Sequence, residues 1–178
     1  MTTYLKFFDY DEALKYYCDL VDGMRRGVNK DNHARIIAKP ALILSIIRLI
    51  EEGKTANKFT YEELDKVYQE IFGKFFIKSH QHNLTPLYYP FYYLQSQKFW
   101  HLVWTNAEVT TNSPSRAWIE RNTRYACIDQ ELWILLSHPE YREKLKQYVI
   151  EEKVLKVFKE DEKDKGIFRT LLQLLMVI

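Results

Sequence analysis

The stretch Lys39–Gly53, KPALILSIIRLIEEG, is apolar from Pro40 to Ile50 except at Ser45 and Arg48. Pro40 stands at a first-turn position, where a missing N–H costs nothing, and Gly53 stands where a C-terminal cap belongs. A helix that is apolar nearly all round has no face to give to water, so this one is expected at the centre of the fold. Its neighbours in sequence are the partners it needs. In DYDEALKYYCDLVDGM, Asp9–Met24, the residues Leu14, Tyr17, Cys18, Val21 and Met24 fall on one helical face, with Gly27 as a stop. In TYEELDKVYQEIFG, Thr60–Gly73, Thr60 and Glu63 have capping-box spacing, and Leu64, Val67, Tyr68, Ile71 and Phe72 share a face.

The stretch PLYYPFYYLQSQKFWHLVW, Pro86–Trp104, is dense in aromatic rings and carries one formal charge, Lys98. Its two halves are rich in aromatic and branched residues and are divided by a polar Ser-Gln pair, which predicts a short antiparallel β-hairpin over about residues 91–103. About half of its rings should then face the helices. Beyond it the grammar is helical again: Ser113 and Pro114, then Asp129, then Ser137 and Pro139 mark helix starts. The expected fold class is mainly α, a helical domain with one short hairpin, in a single unit spanning residues 1–178. The charge run KEDEKDKG, Lys159–Gly166, and the apolar end IFRTLLQLLMVI are expected to form a linker or docked helix over 159–178, leading toward a further domain.

Composition removes several classes of function. With 26 basic and 24 acidic residues the net charge is +2, so affinity for nucleic acid must come from local patches. Cys18 and Cys127 lack paired spacing, which argues against a disulfide scaffold and a Cys-rich zinc site, and fits a cytoplasmic location. No leader pattern and no run long enough to span a bilayer is present, so no membrane partner is expected. No phosphate loop, GxSxG elbow or HExxH occurs. His80 and His82 in HQHN offer two imidazoles, but residues two apart share a face only in a strand, and no carboxylate is near in sequence; a polar loop is expected. His33, His101 and His138 are single histidines without an acid–base partner in sequence. No catalytic residue, metal or cofactor is expected of this chain.

Binding is better supported. The segment Arg25–Lys39, RRGVNKDNHARIIAK, sets five basic residues against Asp31, a local charge of +4 just before the apolar helix. A second group, Arg116, Arg121 and Arg124, follows Ser113 and Ser115 at a helix start, where backbone N–H groups favour anions. Either cluster taken singly suits an ordinary solvated face as well as a phosphate.

The order of segments AKPALILSIIRLIEEG, YYPFYYLQSQKFWHLV, SPSRAW and IDQELWILLSHPEYREKLKQYVI resembles the sulfur-binding domain of phosphorothioation-dependent, HNH-type type IV restriction endonucleases, over roughly residues 37–150. The resemblance implies a domain that binds double-stranded DNA in which sulfur replaces a non-bridging backbone oxygen, cleavage being the work of a separate HNH domain. It implies that Tyr89, Pro90 and Tyr93 wall an apolar cavity for the sulfur. It implies a phosphate contact from Lys39 and DNA contacts from Arg116 with Ser113 and Ser115. His33 and Arg35 are added by position. The chain departs from many relatives in having Tyr93 in place of a small residue, and Gln97 or Lys98 in place of a turn glycine.

The chemistry of such a cavity follows from hydration. Pressing a phosphate oxygen against rings without a donor costs about 1 to 3 kcal/mol. Sulfur is more polarisable and a poorer acceptor, so the same contact buries apolar surface worth about 25 cal/mol per Å². Two alternatives stand beside this one: a protein-interaction module using exposed rings of the aromatic stretch, and a general DNA-binding domain indifferent to sulfur.

Overall fold

The computed structural model describes Phe7 and residues 9–30, 35–76 and 84–159. Helix α1 is Tyr10–Asp22, α2 Ala38–Glu51, α3 Tyr61–Phe76 and α4 Tyr88–Tyr93, the last running into a 3-10 turn, Leu94–Ser96. Strand β1, Trp100–Trp104, is followed by α5, Arg116–Asn122, and by β2, Thr123–Ile128. Helices α6, Gln130–Ser137, and α7, Pro139–Val149, come next; α7 continues as a π-helical stretch, Ile150–Leu155, and a last α turn, Lys156–Lys159. The fold is mainly α with one two-stranded antiparallel sheet.

Helix α2 occupies the centre, as its composition requires. Ten of its residues are buried, and it packs on α3, α4, α6 and α7. Ser45, fully buried, donates to the Ala41 carbonyl at 2.7 Å, so its hydroxyl costs little there. The helix ends in a Schellman arrangement: the Gly53 N–H donates to the Ile50 carbonyl (3.1 Å) and the Lys54 N–H to the Leu49 carbonyl (3.0 Å). Gly53 reaches the φ of 96° that this needs because it has no Cβ. At the start of α3 the capping box forms, with the Glu63 N–H on Thr60 Oγ1 (3.3 Å) and the Thr60 N–H on Glu63 Oε2 (3.4 Å). Asp9 caps α1 by accepting from the Glu12 N–H at 2.8 Å.

The strands are not where the aromatic pattern put them. The predicted hairpin over residues 91–103 does not form: residues 88–93 are helical, 94–96 continue as a 3-10 turn, and β1 pairs instead with β2, Trp100 opposite Ile128 and Trp104 opposite Thr123. The physical reason is Pro90. It cannot donate to a ladder, yet in a first helical turn it costs nothing. The Pro86 carbonyl, its would-be acceptor, takes the Tyr89 N–H at 3.2 Å, and Phe91 donates to Leu87 at 2.9 Å. Leu87, Phe91 and Leu94 recur at helical spacing and are all buried. Trp100 closes over this helix by donating its indole N–H to the Phe91 carbonyl (2.9 Å).

Further along, α5 starts at Arg116 rather than at Pro114, because Ser115 and not Ser113 is the cap; Ser115 Oγ accepts from the Trp118 N–H at 3.2 Å. Pro139 opens α7 as expected. Asn57 serves as a strand partner in miniature: its amide donates to the Ile128 carbonyl (2.7 Å) and accepts the Ile128 N–H (3.0 Å), while Phe59 and Ala126 exchange backbone bonds. Among the described residues no helix is long and apolar enough to cross a membrane.

Candidate functional site

A cavity of about 470 Å³ opens where three parts of the chain meet. Helix α4 supplies Tyr89, Pro90 and Tyr93, and the segment before it supplies Leu84, Thr85 and Pro86. The first turn of α2 supplies Ala38 and Lys39, and the connection from α1 supplies Arg26, Gly27 and Ile36. That connection is folded back on itself: the Ile36 N–H donates to the Gly27 carbonyl at 2.8 Å, and Val28 bridges Arg35. Gly27 comes so close that a Cβ there would sit 3.1 Å from Ile36 Cδ1.

The one-turn geometry of α4 decides which rings line the cavity. Phe91 and Leu94 face the core, which leaves Tyr89 and Tyr93, four residues apart, on the outer face. They are 40% and 39% exposed, and their rings are parallel (7°) with centroids 6.4 Å apart. Pro90 beside them is buried. The Tyr93 hydroxyl donates to the Asn112 carbonyl at 3.1 Å, and the neighbouring Tyr92 hydroxyl accepts from the Thr111 N–H at 3.0 Å. These two bonds carry the segment that leads to Ser113 and Ser115 up to the cavity.

Lys39 brings an ammonium to the cavity. Its ammonium donates to Ser96 Oγ at 3.5 Å, the far limit of a hydrogen bond, and Ser96 in turn donates to the Tyr93 carbonyl (2.9 Å). Among the described residues no carboxylate makes an ion pair with it, and burial holds its pKa below the usual lysine value. A half-buried cation paired with a hydroxyl at the limit of reach gains from any anion that approaches it.

The remaining expected residues are placed differently. Arg35 is exposed on the folded-back connection, its Nη1 donating to the Arg26 carbonyl at 3.4 Å. Arg116 is exposed but engaged: it holds Glu120 (2.7 Å), lies 3.6 Å from Asp65 and stacks over the Tyr61 ring. Ser113 is exposed, its N–H on Thr111 Oγ1 (3.1 Å), and Ser115 is occupied as the α5 cap. His33, His80 and His82 lie outside the described residues, as do residues 160–178 of the expected linker. Among the described residues no group of three or more His, Cys, Asp or Glu side chains is arranged to hold a metal ion.

The structure therefore brings Lys39, Tyr89, Pro90 and Tyr93 to one cavity and leaves Arg116 tied to two carboxylates beyond it. Sequence reasoning missed Arg26, Ile36 and the wall 84–86. The +4 segment was the available signal for Arg26, but nothing local distinguishes it from Arg25. No protein-family model matches the chain, and no curated protein does. An apolar cavity with a partly desolvated ammonium disfavours a group that must keep its water and favours one that is both anionic and polarisable.

Proposed function

We propose that this protein binds double-stranded DNA carrying a phosphorothioate linkage, with the sulfur seated against Tyr89, Pro90 and Tyr93 and the phosphate charge met by Lys39. One observation carries the reading: these four residues line a single apolar cavity whose lysine has no carboxylate partner among the described residues. Oxygen placed on the same rings would give up its hydration without a donor in return, at about 1 to 3 kcal/mol. Discrimination between the two atoms thus comes mostly from the penalty on oxygen. Affinity common to both substrates comes from cations and is salt-dependent. The segment at Ser113 and Ser115, tethered to Tyr93 through Asn112, lies along the duplex beside the modified linkage, in this reading. The protein acts as the recognition module of a modification-dependent restriction system.

A competition experiment tests this. A labelled phosphorothioate duplex bound at moderate salt should be displaced more readily by unlabelled modified duplex than by ordinary duplex. Equal displacement leaves a general DNA binder, and failure to retain any duplex leaves a protein-interaction module built on the exposed Tyr89 and Tyr93.

A further inference from the structure

The cavity is larger than the group so far assigned to it. It measures about 470 Å³, within the range of about 300 to 1,000 Å³ that whole small ligands occupy, whereas a sulfur atom, close to a water molecule in size, takes about 30 Å³. What else enters is set by the walls. Tyr89 and Tyr93 stand four residues apart on α4, with ring planes 7° from parallel and centroids 6.4 Å apart. Carbon atoms touch at about 3.5 to 4.0 Å, so at that spacing neither ring covers the other, and both remain exposed. Each is steadied by a second ring: the Tyr88 centroid lies 4.6 Å from that of Tyr89, and Tyr92 meets Tyr93 edge to face at 5.2 Å. The Tyr93 hydroxyl is fixed in addition by the Asn112 carbonyl. The Lys39 ammonium stands at the Tyr93 end of this pair, since it donates to Ser96 Oγ, which donates to the Tyr93 carbonyl. Parallel rings with a cation at one end match a nucleotide, a flat base with an anion attached.

We propose that the cavity takes the base of an unpaired nucleotide adjoining the modified linkage, stacked on Tyr89 and Tyr93 while Lys39 holds the linkage itself. The inference rests on DNA as the ligand. Every base has a π face, so stacking on rings tolerates any sequence, and one stacked base is worth at least about fivefold in affinity. Magnitude decides which base it is. A base inside a duplex must first be unpaired and unstacked, at a cost that stacking on two rings does no more than offset, whereas a base already unpaired is spared that cost. The protein therefore favours a phosphorothioate beside a mismatch, a gap or a single-stranded end over one in unbroken duplex.

The test titrates the 178-residue chain and its Tyr89→Leu and Tyr89→Phe variants, at one salt concentration, with duplexes of one sequence. These carry a phosphorothioate or an ordinary linkage, and the base on either side of it is paired or left unpaired opposite an abasic site. In the parent protein an unpaired base on one side should tighten binding of the modified duplex at least about fivefold. Tyr89→Leu, which keeps apolar bulk and removes the π face, should bring that ratio to about one, and Tyr89→Phe should restore it. An abasic site also makes a duplex easier to bend, and a gain due to bending alone survives Tyr89→Leu. The proposal is overturned by a ratio of about one in the parent on both sides of the linkage, by a ratio that persists in Tyr89→Leu, or by one that is lost in Tyr89→Phe as well. Equal affinity of the parent for modified and ordinary linkages, with the gain from the unpaired base intact, overturns the sulfur reading and leaves the base site standing; no retention of any duplex overturns both.

Discussion

The hydroxyl of Tyr93 donates to the backbone carbonyl of Asn112 at 3.1 Å, joining one wall of the cavity to the segment that leads into α5. This bond fixes the loop Thr105–Ser115 relative to Tyr89 and Pro90, together with the Tyr92 bond to Thr111 beside it. A phenol whose oxygen is engaged elsewhere offers its ring, not its hydroxyl, to the cavity.

Tyr93→Phe should therefore leave the ring wall in place and release the loop. Loss of one half-exposed hydrogen bond costs about 0.5 to 1.5 kcal/mol of stability. The preference for sulfur should persist, while affinity for both duplexes falls together. Thermal unfolding and paired titrations check this; a selective loss of the modified duplex would mean that the hydroxyl itself meets the ligand.

Pro90→Ala bears on the floor of the cavity. Alanine is the better helix former, so α4 should survive the change. Removing the pyrrolidine ring takes apolar surface from the sulfur site and gives solvent a way to an oxygen. The ratio of affinities for modified over ordinary duplex should fall severalfold, with binding of ordinary duplex changed less than about twofold. Equal losses on both duplexes in titration would remove Pro90 from the sulfur contact.

Lys39 predicts a pH dependence with two opposite signs. Burial lowers its pKa in the folded protein, so the unfolded chain binds the proton more tightly. Between the lowered folded value and the ordinary lysine value the unfolded state carries more protons, and the contribution of this group to stability rises with pH. Binding runs the other way, because only the charged form attracts phosphate: affinity should fall as pH rises through the lowered pKa, earlier than for an exposed lysine. Lys39→Arg should hold affinity flat over the same range, since arginine stays protonated. Titrations across alkaline pH decide this, and parallel curves for the two proteins would count against Lys39 as the phosphate contact.

Gly53 tests the account of the fold. A Cβ at Gly53 meets no neighbour within 4 Å, but at a φ of 96° an L side chain is strained against its own backbone whatever the space around it. Gly53→Ala should lower stability by about 1 kcal/mol through the strained conformation alone. Denaturant unfolding with an unchanged midpoint would mean that the end of α2 is free to rearrange.

What was legible in the sequence was what is decided locally. Thr60 and Glu63 are three residues apart, Gly53 closes the helix it ends, and the burial of α2 is written in its own composition, so each is legible within its own segment. The aromatic stretch is ambiguous in sequence because the same rings suit strand and helix, and only Pro90 with the spacing of Leu87, Phe91 and Leu94 separates the two. The choice of Ser115 over Ser113 as cap turns on backbone dihedrals that composition does not encode. Of the expected site, Lys39, Tyr89, Pro90 and Tyr93 converge. The pairing of Arg116 with Asp65, and of the Arg26 guanidinium with the Lys153 carbonyl, joins residues far apart in sequence and had no local signature.

The most direct measurement of the central claim is the dissociation constant of the protein for two duplexes at one salt concentration, identical but for a single phosphorothioate. A penalty on oxygen of about 1 kcal/mol or more predicts that the modified duplex binds at least roughly fivefold more tightly. Equal dissociation constants would contradict a cavity built for sulfur.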